Sequence, residues 1–153
     1  MKKIFTLVLC ITLSISILVL PASATTIAEN EQIVVSQTVE DLGNGDYYIE
    51  TIYVPAIQTF GSSKTGTKTA QFVSSGTTIY AISVTGVFTY DGVSSEATSA
   101  SGSIATYVEN ATIKSRSAYT SGASAIATGS VSYLGLTLQK TVTLTCDKNG
   151  NLS

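Results

Sequence analysis

Thr137-Leu138-Gln139-Lys140-Thr141-Val142-Thr143-Leu144-Thr145-Cys146 alternates apolar and polar side chains almost without a break. A period of two places Leu138, Val142, Leu144 and Cys146 on one face of an extended strand, with the threonines and Gln139 on the other. The stretch therefore reads as a strand half buried against a core. Lys140 shares the apolar parity, and its stem is expected to pack at the rim while its amine reaches water.

Upstream, Ala123, Ala125, Ala127, Val131 and Tyr133 alternate with Ser124, Thr128, Ser130 and Ser132, and Gly135 marks a tight connection to the strand above. Tyr80, Ile82, Val84, Phe88 and Tyr90 share one face of a long strand. Gly86 falls on that same face, where a glycine points to a bulge or a close approach. Thr67 to Ser74, Ser94 to Val108 and Thr112 to Thr120 are further strand candidates. Near the start, runs at roughly 32–40 and 47–54 flank Leu42-Gly43-Asn44-Gly45-Asp46, and Asn-Gly between alternating runs predicts a hairpin. Ile33, Val35 and Val39 are expected to share its core face with Tyr48, Ile52 and Val54. Pro55 to Gly66 reads as a connection.

No window after residue 25 carries a sustained 3.6-residue apolar stripe. Eight or nine strands with Gly-containing turns predict an all-β fold: an antiparallel immunoglobulin-like β-sandwich over 61–153, preceded by a polar tail and N-terminal β-hairpin over 25–60. Residues 1–24 read as a secretory signal peptide. Lys2 and Lys3 precede the apolar run Ile4–Leu20, and Pro21-Ala22-Ser23-Ala24 ends in small residues suited to cleavage after Ala24. The expectation is a secreted, extracellular protein that meets the membrane only through that leader.

With the leader removed, six Lys and Arg stand against ten Asp and Glu. That balance argues against a nucleic-acid partner, which needs clustered cations. Cys146 becomes the one remaining thiol and is expected to be buried. Histidine is absent, which removes the commonest general base and metal ligand together with the usual Ser and Cys triads. No cofactor site is predicted, and Asp147-Lys148-Asn149-Gly150-Asn151 reads as a solvated turn rather than a calcium loop. Two surface features bear on binding. Tyr47 and Tyr53 fall on the hairpin face opposite Tyr48 and Ile52, where they either cover the sandwich or stack on a sugar or a protein. Lys114 and Arg116 point one way from a strand with Ile113 and Tyr119 on its other side, as a solvated edge or as a patch for an anionic glycan.

The chain also resembles a group of small, exported, uncharacterised proteins of Gram-positive bacteria. The resemblance is carried by Gly45-Asp46-Tyr47-Tyr48-Ile49-Glu50-Thr51, by Lys64-Thr65-Gly66-Thr67-Lys68-Thr69, by Val84-Thr85-Gly86-Val87-Phe88-Thr89-Tyr90-Asp91-Gly92, and by Val142 through Ser153. The look-alikes often have a second cysteine where Ala97 stands and Trp where Tyr80 stands, so the resemblance implies a β-fold that here lacks a disulfide. Its motifs are turn and strand signatures, which imply no chemistry. Together these features lead to the expectation of a non-enzymatic protein recognising an extracellular glycan or protein, or building the cell exterior. A secreted antimicrobial or toxin-like β-protein is the alternative.

Overall fold

In a computed structural model, residues 31–56 and 61–153 are described. The expected leader, the tail to residue 30 and residues 57–60 lie outside the described residues. Among the described residues eight strands follow in order: β1 Gln32–Gly43, β2 Asp46–Pro55, β3 Ser63–Ser74, β4 Thr77–Tyr90, β5 Ser95–Thr106, β6 Ala111–Ser121, β7 Ser124–Tyr133 and β8 Leu136–Thr145. They form two antiparallel sheets, a five-stranded one in the order β1-β2-β3-β4-β5 and a three-stranded one in the order β6-β7-β8. Two-residue turns close several of the ladders. Asn44-Gly45, Ser75-Gly76 and Leu134-Gly135 all have positive φ at both residues, the twist that matches paired strands.

The sheets pack face to face. β4 contacts β7 and β8, β3 contacts β8, and β5 lies against β6 and β7. Tyr80, Ile82, Val84 and Phe88 of β4 meet Ala125, Ala127 and Val131 of β7 and Val142 and Leu144 of β8 in one core. Cys146, with the parity of those β8 residues, is 1% exposed. The sheets approach closely at Gly86, since a Cβ there would lie 2.7 Å from Cβ of Ala125 on the facing sheet and 2.6 Å from the Phe88 ring of its own strand.

Four expectations are corrected. Immunoglobulin domains place strands A, B, E and D in one sheet and C, F and G in the other, so each sheet draws on separated parts of the chain, whereas here each sheet is a consecutive run of the chain. The first two strands do not stand ahead of the sandwich, because β2 pairs with β3 from Asp46↔Ser74 to Tyr53↔Thr67 and so belongs to the large sheet. The connection after Pro55 ends before Gly66, for β3 starts at Ser63. Gly66 is a strand residue opposite Gly86, with the Leu152 side chain over its Cα. The fourth concerns β1: a register shift between Val34 and Ser36 inverts its parity, so Val39 faces Ile49 rather than the Tyr48 side. Ile33, Val35 and Val39 remain 50%, 51% and 64% exposed.

The buried thiol of Cys146 is pushed up from its ordinary pKa, first by burial and then by the neighbouring Asp147 charge. A high pKa and no access both slow thiolate chemistry. Native protein is therefore expected to resist maleimide labelling until denaturant unfolds it, with mass spectrometry as the readout. Rapid labelling of folded protein would contradict the packing.

Candidate functional site

The outer face of the five-stranded sheet is built by alternation. Because Tyr48 and Ile52 point into the core, Tyr47, Ile49, Thr51 and Tyr53 point away from it. Register then sets Tyr53, Thr67 and Thr85 in one row and Thr51, Thr69, Ser83 and Ser103 in the next. A third row carries Gln71, Ala81 and Ala105. The small alanines leave a shallow trough of about 530 Å³, with Tyr53 on one side and Tyr107 on the other. Tyr107 is 59% exposed and is fixed at its backbone by donating to the Ile79 carbonyl at 2.9 Å.

The trough's polar floor is ordered. The hydroxyls of Thr67 and Thr85 pair at 2.8 Å, as do those of Thr69 and Ser83. Gln32 and Gln71 add amides, and among the described residues no charged one lines it. A surface of this kind can stack rings on tyrosine and exchange hydrogen bonds through hydroxyls and amides.

Of the residues singled out from sequence, Tyr53 lies in the trough. Tyr47 occupies the same face but a separate hollow with Val39 and Asp41 beside the β1–β2 turn, about 20 Å away along the strand. Lys114 and Arg116 are on the other sheet, on edge strand β6, so the four do not form one site. A register shift between Ile113 and Ser115 puts Lys114 in a bulge. Ile113 thus faces buried Val131 while Tyr119 faces Ile126, on opposite sides of the strand, which corrects the expected shared face. Tyr107 was not distinguished in the sequence from the other tyrosines. Its signal was that it ends a run of Ser and Ala whose alternate members face outward.

A second constellation lies between the sheets. Lys140 corrects the expectation of a solvated amine: its Nζ is 2.7 Å from Glu40 and 3.0 Å from Glu50, and 4.2 Å from the centre of the Tyr48 ring. The large sheet overhangs β8, so a rim side chain there meets carboxylates of β1 and β2 instead of water. Lys68 reaches Glu50 at 3.4 Å, and Tyr48 and Tyr80 share a hydroxyl hydrogen bond at 2.6 Å. Burial pushes the Tyr80 phenol far up, with the Tyr48 bond adding to it. Every member is paired within the fold, so the group clasps the two sheets together.

The clasp sets a pH dependence. Burial alone raises Glu50, but the Lys140 hydrogen bond and charge, with Lys68, outweigh it and hold its pKa low. Burial alone lowers Lys140, and its bonds to Glu40 and Glu50 reverse that and raise it. A lowered carboxylate contributes stability above its unfolded pKa, near 4.3, and loses it as pH falls through the folded value. A raised amine contributes below its unfolded pKa, near 10.4, and loses it as pH climbs through the folded value. Urea midpoints are expected to be flat between about pH 5 and 10 with respect to this group and to decline on both sides. Lys140→Met should remove the amine's share of the alkaline decline and leave the share set by the buried Tyr80 phenol.

The turn carboxylates are held by donors. Asp147 accepts from the backbone of Asn149 and Asn151 and from the Asn151 amide, each at 2.8 Å, the pattern of an Asx turn. Among the described residues no group of three His, Cys, Asp or Glu stands together as a metal site. No family model, curated protein or solved structure matches the chain.

Proposed function

We propose that the chain is an exported, non-enzymatic recognition protein that binds an extended, neutral glycan in the trough on its five-stranded sheet. The observation that carries this reading is the pair Tyr53 and Tyr107 flanking an uncharged floor of hydroxyls and amides. Sugar rings offer apolar faces for stacking and a rim of hydroxyls, and an uncharged floor imposes no desolvation cost for unpaired ions. Export is supported by the N-terminal leader pattern and by the resemblance to small exported Gram-positive proteins. The basic pair Lys114 and Arg116 stands on the opposite sheet and takes no part.

The test is titration calorimetry of residues 25–153 against soluble neutral and anionic polysaccharides. Tyr107→Ala is expected to weaken neutral-glycan binding about tenfold, the value of one aromatic contact, with the melting temperature unchanged because the ring is exposed. Tyr53→Ala should act in the same direction, while a double Lys114→Ala, Arg116→Ala variant should bind as the parent does. Binding of anionic polymers alone, lost in the double variant, would move the site to β6.

A further inference from the structure

Sheet edges present unpaired main-chain groups, and proteins guard them with charge, bulges or cover. Edge strand β6 carries exposed Lys114 and Arg116 together with a bulge. The free side of β8 is occupied at one end by Ser153, which exchanges both backbone hydrogen bonds with Thr145 at 2.9 Å. Strand β5 lies against β6.

Strand β1 is different. It runs for 12 residues, every one exposed, and from Gln32 to Val39 it has no charge, with Ile33, Val34, Val35 and Val39 half exposed or more. Its ladder phase follows from Ala56 donating to Glu31 at 2.8 Å and Ser75 donating to Gly45 at 3.1 Å. The even residues of β2 bond β1 and the odd ones bond β3. By alternation, Gln37, Val39 and Asp41 of β1 aim their N–H and C=O groups away from the sheet.

We infer that β1 is a self-association edge: a second copy adds its own β1 antiparallel about a two-fold axis at Gln37, joining two five-stranded sheets into one. The charge pattern selects this arrangement. Glu40 and Asp41 are the acidic groups of the strand and both stand at one end. Glu40 is ion-paired with Lys140 of its own copy, which leaves the Asp41 charge, and parallel, in-register pairing would set it against Asp41 of the partner subunit at about 5 Å. Antiparallel pairing about Gln37 separates the two by about 25 Å, beyond the screening length of physiological salt. Across the bulge the register shifts by one, so the strand pairs from Gln32 to Asp41 and Val39 of each copy lies on the Val34–Val35 bulge of the other. Because the two-fold axis of an antiparallel pair runs perpendicular to the sheet, both troughs open on the same side. Where the trough is a glycan site, which rests on the proposed function, the dimer is bivalent.

Sedimentation equilibrium of residues 25–153 over a wide concentration range is expected to show a reversible dimer. Val39→Lys should raise its dissociation constant at least about tenfold by setting a cation into the apolar contact, with the melting temperature unchanged when read on the monomer at concentrations below the parent's dissociation constant. Gln37→Cys should give a covalent dimer under mild oxidation faster than Thr98→Cys on the β5 edge, and buried Cys146 should take no part. A protein monomeric at all concentrations overturns the inference and leaves the edge to a strand of another protein. A dimer indifferent to Val39→Lys, or equal crosslinking of the two cysteine variants, overturns it as well. Because these readouts need no glycan, a failed trough and a failed edge are told apart.

Discussion

A chain lacking residues 25–60 is expected to lose its cooperative thermal transition, whereas one lacking only 25–43 should keep it. The longer deletion takes away Tyr48, Ile52 and Val54, all buried, along with the β2 ladder to β3. Three such side chains contribute about 5 to 9 kcal/mol, against a total stability of about 5 to 15 kcal/mol for a domain. It also strips Glu50 and Glu40 from Lys140 and uncovers the edges of the Phe72 and Tyr80 rings, whose centres lie 5.3 and 6.4 Å from that of Tyr48. Of the described residues, the shorter deletion removes only exposed ones, losing the Glu40–Lys140 ion pair but none of the core. Circular dichroism melts distinguish the cases. A truncated protein that melts with the full-length midpoint would detach β2 from the core.

Phe88→Ala is expected to cost about 3 to 5 kcal/mol in urea unfolding, the usual range for emptying a wholly buried phenylalanine. The neighbouring glycine makes this position more informative than most. Alanine in place of glycine inside a strand ordinarily gains about 0.5 to 1 kcal/mol, but Gly86→Ala should instead lose about 1 to 3 kcal/mol. The new methyl would sit 2.6 Å from the Phe88 ring and 2.7 Å from Cβ of Ala125, and the latter is fixed to the backbone of the opposite sheet. With the ring gone, part of that clash disappears, so the double variant should lose less than the sum of the two. Strict additivity would show that the ring and the glycine do not share the space between the sheets.

Alternation made much of this legible beforehand. β8 carries no irregularity and the one in β4, at Ile79, precedes the run from Tyr80 onward, so the core faces of Val142, Leu144, Ile82 and Val84 follow from a period of two. Where a bulge intervenes, the same rule points the wrong way. One extra residue near Val35 turned Val39 outward, and one at Lys114 separated Ile113 from Tyr119, since a single insertion moves every later side chain to the other face. Glycine misled at position 66, where it allows Leu152 to approach rather than ending a strand. Tyr53 of the trough was visible as the partner of Tyr47 on an outer face. Tyr107 was not, because its place depends on four strands lying side by side in register. The Lys140 clasp joins residues 100 positions apart, a distance that no local pattern spans.

The consecutive strand order bears on how the chain finds its fold. Within either sheet each strand pairs with the one made just before it, so each ladder closes only a short loop, and loop-closure entropy grows with the length enclosed. As the polypeptide emerges N-terminus first, β2 can zip onto β1 and β3 onto β2 without waiting for distant sequence. The search that remains is the docking of two preassembled meanders across a single crossing between β5 and β6. That lowers the contact order below the level typical of two-sheet proteins with interleaved strands, and a lower contact order means faster folding. Until β6 to β8 arrive, however, the nascent five-stranded sheet holds Tyr80, Phe88 and their neighbours bare on one side, and that interval is when the molecule is most open to capture by a chaperone or by another unfinished chain.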